Sequence, residues 1–259
     1  MARPTQRART LSQNFLTDRA TADRVARLAA PDSRRPPLLL EVGAGQGALT
    51  EPLARRSREL HAYEIDPRLV PGLRARFTDT PHVRVVAGDF LAARPPRTPF
   101  SVAGNVPFSR TADIVDWCLT ASGLTDATLI TQLEYARKRT GDYGRWTLLT
   151  VRTWPRHEWR LAGRVSRYGF RPVPRVDAGI LRVERRRTPL ISGVEQRSWQ
   201  DLVELGFSGV GGSLHASLRR AHPGRRVDAA FRAARLDPGV LVGEVAPARW
   251  LRLYEELVA

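Results

Sequence analysis

Short apolar segments recur along the first half of the chain. They predict strands over Leu38–Leu40, Leu60–Asp66, Val83–Ala87 and Phe100–Ala103. Helical segments alternate with these strands to about Gln132, which is the arrangement of a parallel sheet covered by helices. The first helix should be capped by Asp18, because apolar residues recur behind it at helical spacing over Ala22–Ala29. The pattern therefore predicts an α/β fold with a Rossmann-like sheet.

The pattern changes in the second half. Glu134–Arg139 predicts the start of a short basic helix, and strands are expected at Leu148–Arg152, Trp159–Val165 and Ala178–Glu184. Glu184–Pro189 has the composition of a linker. Short helices are predicted after it, over Trp199–Phe207, Ser213–Ala221, Val227–Ala234 and Ala246–Val258. We therefore expect a catalytic domain over residues 1–187, with a basic arm and a short motif in residues 1–16, and a small helical domain over residues 188–259.

A glycine-rich turn directly follows the first apolar segment. It reads E-V-G-A-G-Q-G, and its candidate ligand contacts are Glu41, Gly43, Ala44, Gly45 and Gly47. A strand that ends in such a turn and enters a helix is typical of nucleoside cofactor sites, because glycine lets a ligand approach the backbone. The G-x-G-x-G spacing and the acid at its head favour S-adenosylmethionine (SAM), which carries positive charge and no phosphate. The alternative is a glycine turn that only packs strand on helix.

Acidic residues end the next two strands. Glu64 lies about twenty residues past the glycine turn, where a ribose-binding carboxylate is expected, although a solvated strand end is the alternative. Asp66 precedes a proline and is predicted to cap a helix. Asp89 could accept a hydrogen bond from the adenine amine of the cofactor, while Phe90 or Ile65 stacks on the adenine ring.

The fourth strand leads into Asn105-Val106-Pro107-Phe108. The Asn105 side-chain oxygen and the Val106 carbonyl can both accept hydrogen bonds from an exocyclic NH2 group. Pro107 would fix the turn, and Phe108 offers a ring on which a base can stack. A four-residue sequence of this kind is, on its own, typical of a simple turn. Its place after three other ligand-bearing strand ends favours a site, because ligands of open α/β sheets bind at the carboxyl edge.

These motifs, in this order, resemble those of the rRNA adenine N6-methyltransferases. That superfamily contains the Erm enzymes, which confer macrolide resistance, and the small-subunit dimethyladenosine transferases. Two further segments carry the resemblance: Gln13-Asn14-Phe15-Leu16, and Gly169–Asp177, which is similar to the F-x-P-x-P-x-V motif. The resemblance implies SAM as cofactor, bound in part by Gln13–Leu16 and Asn105. It also makes Phe170 a second base-stacking candidate, with a buried loop anchor as the alternative.

Two departures favour the Erm branch. Phe108 stands where the small-subunit enzymes usually carry tyrosine, and Ser208–Ser213 replaces their Arg-Arg-Lys run. The Erm branch implies methylation of an adenine in the peptidyl-transferase loop of 23S rRNA, with resistance to macrolides, lincosamides and streptogramin B. The alternatives are a 16S rRNA dimethyladenosine transferase and a non-catalytic nucleic-acid-binding relative.

The net charge of +16 indicates a polyanionic partner and disfavours a small-molecule methyltransferase. Arg137, Lys138 and Arg139 are the predicted RNA contacts, with a solvated basic helix as the alternative. The Arg3–Arg9 arm and the helical domain are further expected RNA contacts. One cysteine, Cys118, excludes an internal disulfide, and the histidines lack metal spacing. Without a signal peptide or a membrane-spanning run, the chain is expected to be a cytoplasmic monomer without metal or membrane partners.

Overall fold

The computed structural model describes residues 14–209 and 212–258. Its strands are β1 (Phe15–Leu16), β2 (Leu39–Val42), β3 (Leu60–Glu64), β4 (Val83–Ala87), β5 (Phe100–Asn105), β6 (Leu124–Gln132), β7 (His157–Val165), β8 (Phe170–Arg171) and β9 (Ala178–Arg185). Its α-helices are α1 (Arg19–Ala29), α2 (Thr50–Ala54), α3 (Val70–Arg76), α4 (Thr111–Thr120), α5 (Leu133–Thr140), α6 (Leu148–Thr153), α7 (Gln196–Phe207), α8 (Leu214–Leu218), α9 (Gly224–Ala234) and α10 (Pro247–Leu257).

Seven strands form one sheet in the order β4-β3-β2-β5-β6-β9-β7. The neighbours from β4 to β6 are parallel, so the predicted α/β fold is confirmed. The chain builds outward from β2 to β4 and then returns to place β5 on the other side of β2. This reversal opens a crevice at the carboxyl ends of β2 and β5, which is where ligands of such sheets bind.

The first helix forms as the sequence predicts. The Asp18 carboxylate accepts hydrogen bonds from the backbone N–H groups of Ala20 and Thr21 at 3.3 and 3.2 Å. Ala22, Val25, Ala26 and Ala29 form the buried face of α1. That face packs into a core cluster with Leu39 and Leu60, so the helix covers the sheet and holds the segment before it in place.

Two predicted elements differ from the structure. Leu148–Arg152 is wrong as a strand, because the Thr147 hydroxyl accepts from the Thr150 N–H and starts α6 instead. The prediction that Asp66 caps a helix is also wrong, since α3 begins at Val70. Asp66 accepts instead from the Arg68 N–H at 3.0 Å, in the turn that precedes the helix.

The contacts divide the chain into two units. The first holds the described residues up to Glu134 together with Ala162–Val183, and the second holds Tyr135–Leu161 and the described residues from Glu184 onward. The second unit thus includes more of the chain than the C-terminal segment predicted from composition. Its core shows why: Val151 of α6 packs with Trp199 and Leu202, and Trp199 Nε1 donates to the Arg152 carbonyl at 2.9 Å.

Candidate active site

The loop after β2 follows a path that its glycines allow. Gly43 and Gly45 have φ of 70° and 58°. A Cβ added to Gly45 would lie 3.1 Å from the Phe15 ring, and one on Gly43 would lie 3.6 Å from the Asn105 carbonyl oxygen. At these two positions the loop therefore brings backbone without a side chain to the crevice between Phe15 and Asn105. Such a cradle suits a ligand that is held against the main chain.

Glu64 ends β3 and ties two loops together. The carboxylate is 2% exposed; Oε2 accepts from the Gly45 N–H at 2.6 Å, and Oε1 accepts from the Asp66 N–H at 2.7 Å. One side chain thus fixes the glycine loop relative to the end of the neighbouring strand. Each carboxylate oxygen can accept a second hydrogen bond, so the predicted ribose contact is chemically compatible with this arrangement.

Glu41 lies beneath the crevice in the middle of the sheet. It sits on β2 between Ala62 of β3 and Ala103 of β5 and is buried. Burial raises the pKa of its carboxyl to about 8, and the nearby Glu64 carboxylate adds to the effect. A carboxyl that is mostly neutral at pH 7 attracts a cation weakly. The acid at the head of the glycine turn is therefore a buried group of the sheet in this conformation.

Asn105 is the last residue of β5, and one hydrogen bond orients its side chain. Its Nδ2 donates to the backbone carbonyl of Asn14 at 2.7 Å. Because the nitrogen is engaged there, Oδ1 is left as the acceptor of the amide. The Val106 N–H donates to the Ile130 carbonyl of β6 at 3.2 Å, which fixes the backbone just past the strand. Sequence reasoning missed the Asn14 carbonyl, since a backbone acceptor gives no residue-type signal.

Phe108 begins a short 3₁₀ turn, Phe108–Arg110, directly after Pro107. Its ring is partly buried and packs against the core cluster that contains Leu16 and Phe170. One side of the ring is thereby supported by the core. The exposed part belongs to the crevice, where the predicted base-stacking role requires it.

A cleft joins these groups within the first unit. Its lining residues are Asn14, Phe15, Gly43, Gly45, Glu64, Ile65, Asn105, Val106, Pro107 and Phe108. The predicted site residues that do not line this cleft are Leu16, Glu41, Ala44, Gly47, Asp89, Phe90 and Phe170. Gln13 and the Arg3–Arg9 arm lie outside the described residues.

Phe90 and Asp89 have structural partners next to the cleft. The Phe90 ring is buried, with ring centroids 5.4 Å from Tyr63 and 4.4 Å from Trp117. Asp89 caps the short 3₁₀ turn that follows it, accepting from the Leu91 N–H at 2.9 Å. Of the two predicted adenine-stacking residues, Ile65 is the one on the cleft, and it is 46% exposed.

Phe170 does not fit the predicted stacking role. Its ring is 0% exposed and lies in the core cluster, and its backbone pairs with Leu16 across the antiparallel β1–β8 ribbon. A ring without accessible surface cannot stack on a base. The alternative is supported instead: Phe170 anchors its loop and, through Leu16, the strand that carries Phe15 to the cleft.

The predicted RNA contacts Arg137, Lys138 and Arg139 lie on α5 and belong to the second unit. The Arg137 side chain donates to Asp142, and its guanidinium lies 3.8 Å from the centroid of the Tyr143 ring. Arg139 donates to the Thr147 hydroxyl at 2.8 Å. Arg137 and Arg139 therefore already have partners within their own unit.

Residues 14–209 and 212–258 contain no group of three or more His, Cys, Asp or Glu side chains that could hold a metal ion. In the same ranges, none of the helices combines the length and the apolar character needed to cross a bilayer.

Comparison with known proteins places this cleft in a context. The chain is 64% identical to an rRNA adenine N-6-methyltransferase of Streptomyces fradiae, over 96% of this chain and 78% of that protein. It is 40% identical to the mycinamicin-resistance protein MyrB of Micromonospora griseorubida, over 94% and 77%. The crystal structure of the 23S rRNA methyltransferase ErmE superposes with a TM-score of 0.91 at 49% identity, over 94% of this chain and 99% of that one.

The fold and the cleft together define a Rossmann-like methyltransferase, as the sequence predicts. The finer assignment follows from the family model for ribosomal RNA adenine dimethylase, which matches residues 5–259. The chain belongs to the ribosomal RNA adenine dimethylase family.

Proposed function

We propose that this protein uses SAM to methylate the N6 amine of an adenine in the peptidyl-transferase loop of 23S rRNA. The observation that carries the proposal is the bond from Asn105 Nδ2 to the Asn14 carbonyl, which leaves Oδ1 as an acceptor at the cleft. An adenine N6 group presents two hydrogens and therefore needs acceptors. The likeness to ErmE, a 23S rRNA methyltransferase, supports 23S rRNA as the substrate.

The chemistry of adenine explains why two acceptors are needed. The N6 lone pair is delocalised into the ring, which makes the amine a poor nucleophile. Asn105 Oδ1 and the Val106 carbonyl hold both N6 hydrogens and favour the pyramidal geometry of the attacking amine. Phe108 holds the flipped base by stacking, which contributes about 1–3 kcal/mol. Catalysis then depends on positioning and electrostatic preorganisation rather than on a strong base.

The residues that would hold the cofactor line the same cleft. SAM, when bound, would supply the methyl group of its sulfonium to N6, with S-adenosylhomocysteine as the leaving group and the displaced N6 proton passing to solvent. The Gly43–Gly45 backbone would cradle SAM, Glu64 would accept from the ribose hydroxyls, and Ile65 would pack on the adenine. The Phe15 ring faces the glycine loop at close range and would attract the positive sulfonium by a cation–π interaction.

The cellular role follows from the substrate. The resemblance to MyrB, a mycinamicin-resistance protein, supports antibiotic resistance as the consequence of methylation. We extend this proposal to macrolides, lincosamides and streptogramin B. We place the enzyme in the cytoplasm, acting as a monomer on rRNA, and we assign Arg137, Lys138 and Arg139 to RNA contacts. The fragment 188–259 contributes further RNA-binding surface.

Methyl transfer to each rRNA tests the proposal directly. Purified 23S and 16S rRNA are incubated separately with the enzyme and tritium-labelled SAM, and the modified base is mapped by primer extension. We expect label in 23S rRNA at one adenine. Label in 16S rRNA alone would identify a small-subunit enzyme. SAM binding without label in either RNA would favour a non-catalytic nucleic-acid-binding protein.

A further inference from the structure

Tyr168 is an exposed aromatic residue in the 3₁₀ turn Arg167–Gly169. Its side chain is 67% exposed, whereas Phe170, two positions later, is completely buried. The segment thus offers one aromatic ring to the core and another to the surface. The ring that could meet an RNA base is therefore Tyr168.

The Tyr168 backbone is held on both sides. The Ser166 hydroxyl caps the 3₁₀ turn Arg167–Gly169 and accepts from the Tyr168 N–H, and the Asp177 carboxylate accepts from the Arg167 N–H at 3.0 Å. The Gly169 carbonyl accepts from the Thr17 N–H at 2.8 Å. A tethered backbone loses little conformational entropy when its side chain takes up a ligand.

The same bonds tie the Tyr168 turn to the segment that supplies two residues of the cleft. Thr17 follows β1 directly, and β1 carries Phe15, which lines the cleft. Asn14, just before β1, holds the Asn105 amide. A short path of backbone bonds therefore runs from the Tyr168 turn to the residues that would hold the target adenine.

Charge at this turn suits a nucleic acid. The Arg167 guanidinium lies 5.1 Å from the centroid of the Tyr168 ring, and its Nη2 donates to the Tyr168 hydroxyl at 3.2 Å. An arginine beside an exposed aromatic ring provides a cation for a phosphate and a face for a base. A single-stranded RNA segment presents both groups at once, because its phosphates and unpaired bases alternate.

We infer that Tyr168 stacks on an unpaired nucleotide adjacent to the target adenine, and that Arg167 contacts the phosphate of that nucleotide. This inference rests on the proposed function and deepens it. Phe108 receives the flipped adenine, while Tyr168 holds a neighbouring base outside the cleft and so fixes the position of the RNA strand. Tyr168 is thus a substrate-binding residue that positions the RNA, and it takes no part in methyl transfer.

Steady-state kinetics on an RNA hairpin from the 23S peptidyl-transferase loop test the role. For Tyr168→Ala we expect KM for RNA to rise about 10-fold, within the range of one lost base–aromatic stack. The Kd for SAM and kcat should stay within about twofold. Tyr168→Phe should behave as wild type, since stacking needs only the ring. Thr98→Ala, at an exposed position of the first unit outside the cleft, is the surface control.

A second arm identifies the stacked nucleotide. Hairpins with one abasic position on either side of the target adenine are compared with the intact hairpin. One abasic hairpin should weaken wild-type kcat/KM about 10-fold and leave Tyr168→Ala unaffected. Equal losses in both proteins, or Tyr168→Ala kinetics within twofold of wild type, would overturn the inference. A Phe variant as poor as the Ala variant would also do so, because the hydroxyl would then matter rather than the ring.

A binding measurement can test the Tyr168 inference separately from the proposed methyltransferase function. A 2-aminopurine at the flanking position reports stacking by its fluorescence, without any methyl transfer. If wild type does not methylate the hairpin, the proposed function fails. The Tyr168 inference is then judged by whether wild type quenches the probe and Tyr168→Ala does not. Identical fluorescence in the two complexes would reject it.

Discussion

The cleft of the first unit and the basic helix α5 of the second unit satisfy their polar groups in different ways. At the cleft of the first unit, Glu64 and Asn105 are each tied to backbone groups by short, single-purpose bonds. In the second unit the core consists of aliphatic and aromatic side chains, and arginines such as Arg137 pair with surface neighbours. The first arrangement depends on the exact placement of individual atoms. The second depends on how many cations the surface carries.

This difference predicts how each unit responds to mutation. A single substitution at the cleft removes a bond that nothing else replaces. A single substitution on the basic surface removes one of many similar charges, each of which contributes little on its own. The following tests rank the expected effects accordingly.

The largest effect is expected at Asn105. Asn105→Ala removes the oriented acceptor, so methyl transfer should fall to nearly nothing. SAM affinity should fall much less, because the amide mainly holds the target amine. Single-turnover kinetics and calorimetric SAM titration measure the two separately. Near-normal turnover in this variant would refute the assignment of Asn105 to the target base.

Phe108 should come next. Phe108→Ala removes the stacking ring and should abolish most activity, with a loss corresponding to about 1–3 kcal/mol or more of binding. Phe108→Tyr should keep substantial activity, because the ring remains. The kcat/KM for RNA measures both variants. If both lose activity equally, the apolar environment of the partly buried ring matters rather than its stacking.

Glu64 should show a smaller effect that combines two causes. Glu64→Ala removes acceptors for the Gly45 and Asp66 N–H groups as well as the predicted ribose contact. Hydrogen bonds to a charged group contribute about 1.5–3 kcal/mol each, so SAM affinity should drop at least ~10-fold.

Calorimetry measures the affinity for SAM. A thermal melting curve shows how far the substitution also destabilises the fold. Glu64→Gln should lie between wild type and Glu64→Ala, because an amide can accept only one of the two N–H groups. Glu59→Ala, an exposed acid just before β3, is the control. Unchanged SAM binding in Glu64→Ala would move the ribose contact elsewhere.

The basic helix should respond weakly. Replacing Arg137, Lys138 and Arg139 together with alanine should flatten the plot of log affinity for RNA against log salt by at most about 2 units, at ~0.7 per single-strand phosphate. Because Arg137 and Arg139 have internal partners, a smaller change is expected than from three unpaired cations. Replacing Arg58, Arg94 and Arg97, three exposed arginines of the first unit, removes equal charge and serves as the control. An unchanged slope would mean that α5 does not touch RNA.

The smallest effect concerns pH and folding. Glu41 has a folded pKa of about 8 against an ordinary value of 4.5, so the folded state binds a proton that the unfolded state lacks between these values. The free energy of unfolding should therefore fall as pH rises through this window. Burial lowers the pKa of His157 to about 4, so its contribution is lost only as pH falls below about 6.5.

Urea titrations at pH 6.5 and 8 isolate the Glu41 contribution, since His157 is neutral in both states over most of that interval. Glu41→Gln should flatten the pH dependence there. A wild-type slope retained in Glu41→Gln would mean that another group binds the proton.

The sequence predicted best what depends on local pattern. The strand ends that carry Glu64 and Asn105 follow from apolar runs broken by polar residues, and the Asp18 cap follows from its place before a helical repeat. These features need no knowledge of distant contacts. They also define most of the cleft, because parallel strands align their carboxyl ends at one edge.

The rest depended on contacts between distant residues. Phe170 is buried because it pairs with Leu16, more than 150 positions earlier, and no local pattern signals that ribbon. The Leu148–Arg152 segment has an apolar run that suits a strand as well as a helix, and the Thr147 cap decides between them. The protonation of Glu41 depends on complete burial between two neighbouring strands.

The hydrogen bond between Asn105 and the Asn14 carbonyl also predicts which sequence changes this site can tolerate during evolution. The acceptor is main chain, so the side chain at position 14 could vary among descendants without disturbing the amide. A one-residue insertion or deletion between Asn14 and the Asp18 cap would move the carbonyl out of hydrogen-bonding distance, and the Asn105 amide would lose its fixed orientation. Selection should therefore preserve the length of this segment more strictly than its amino-acid sequence.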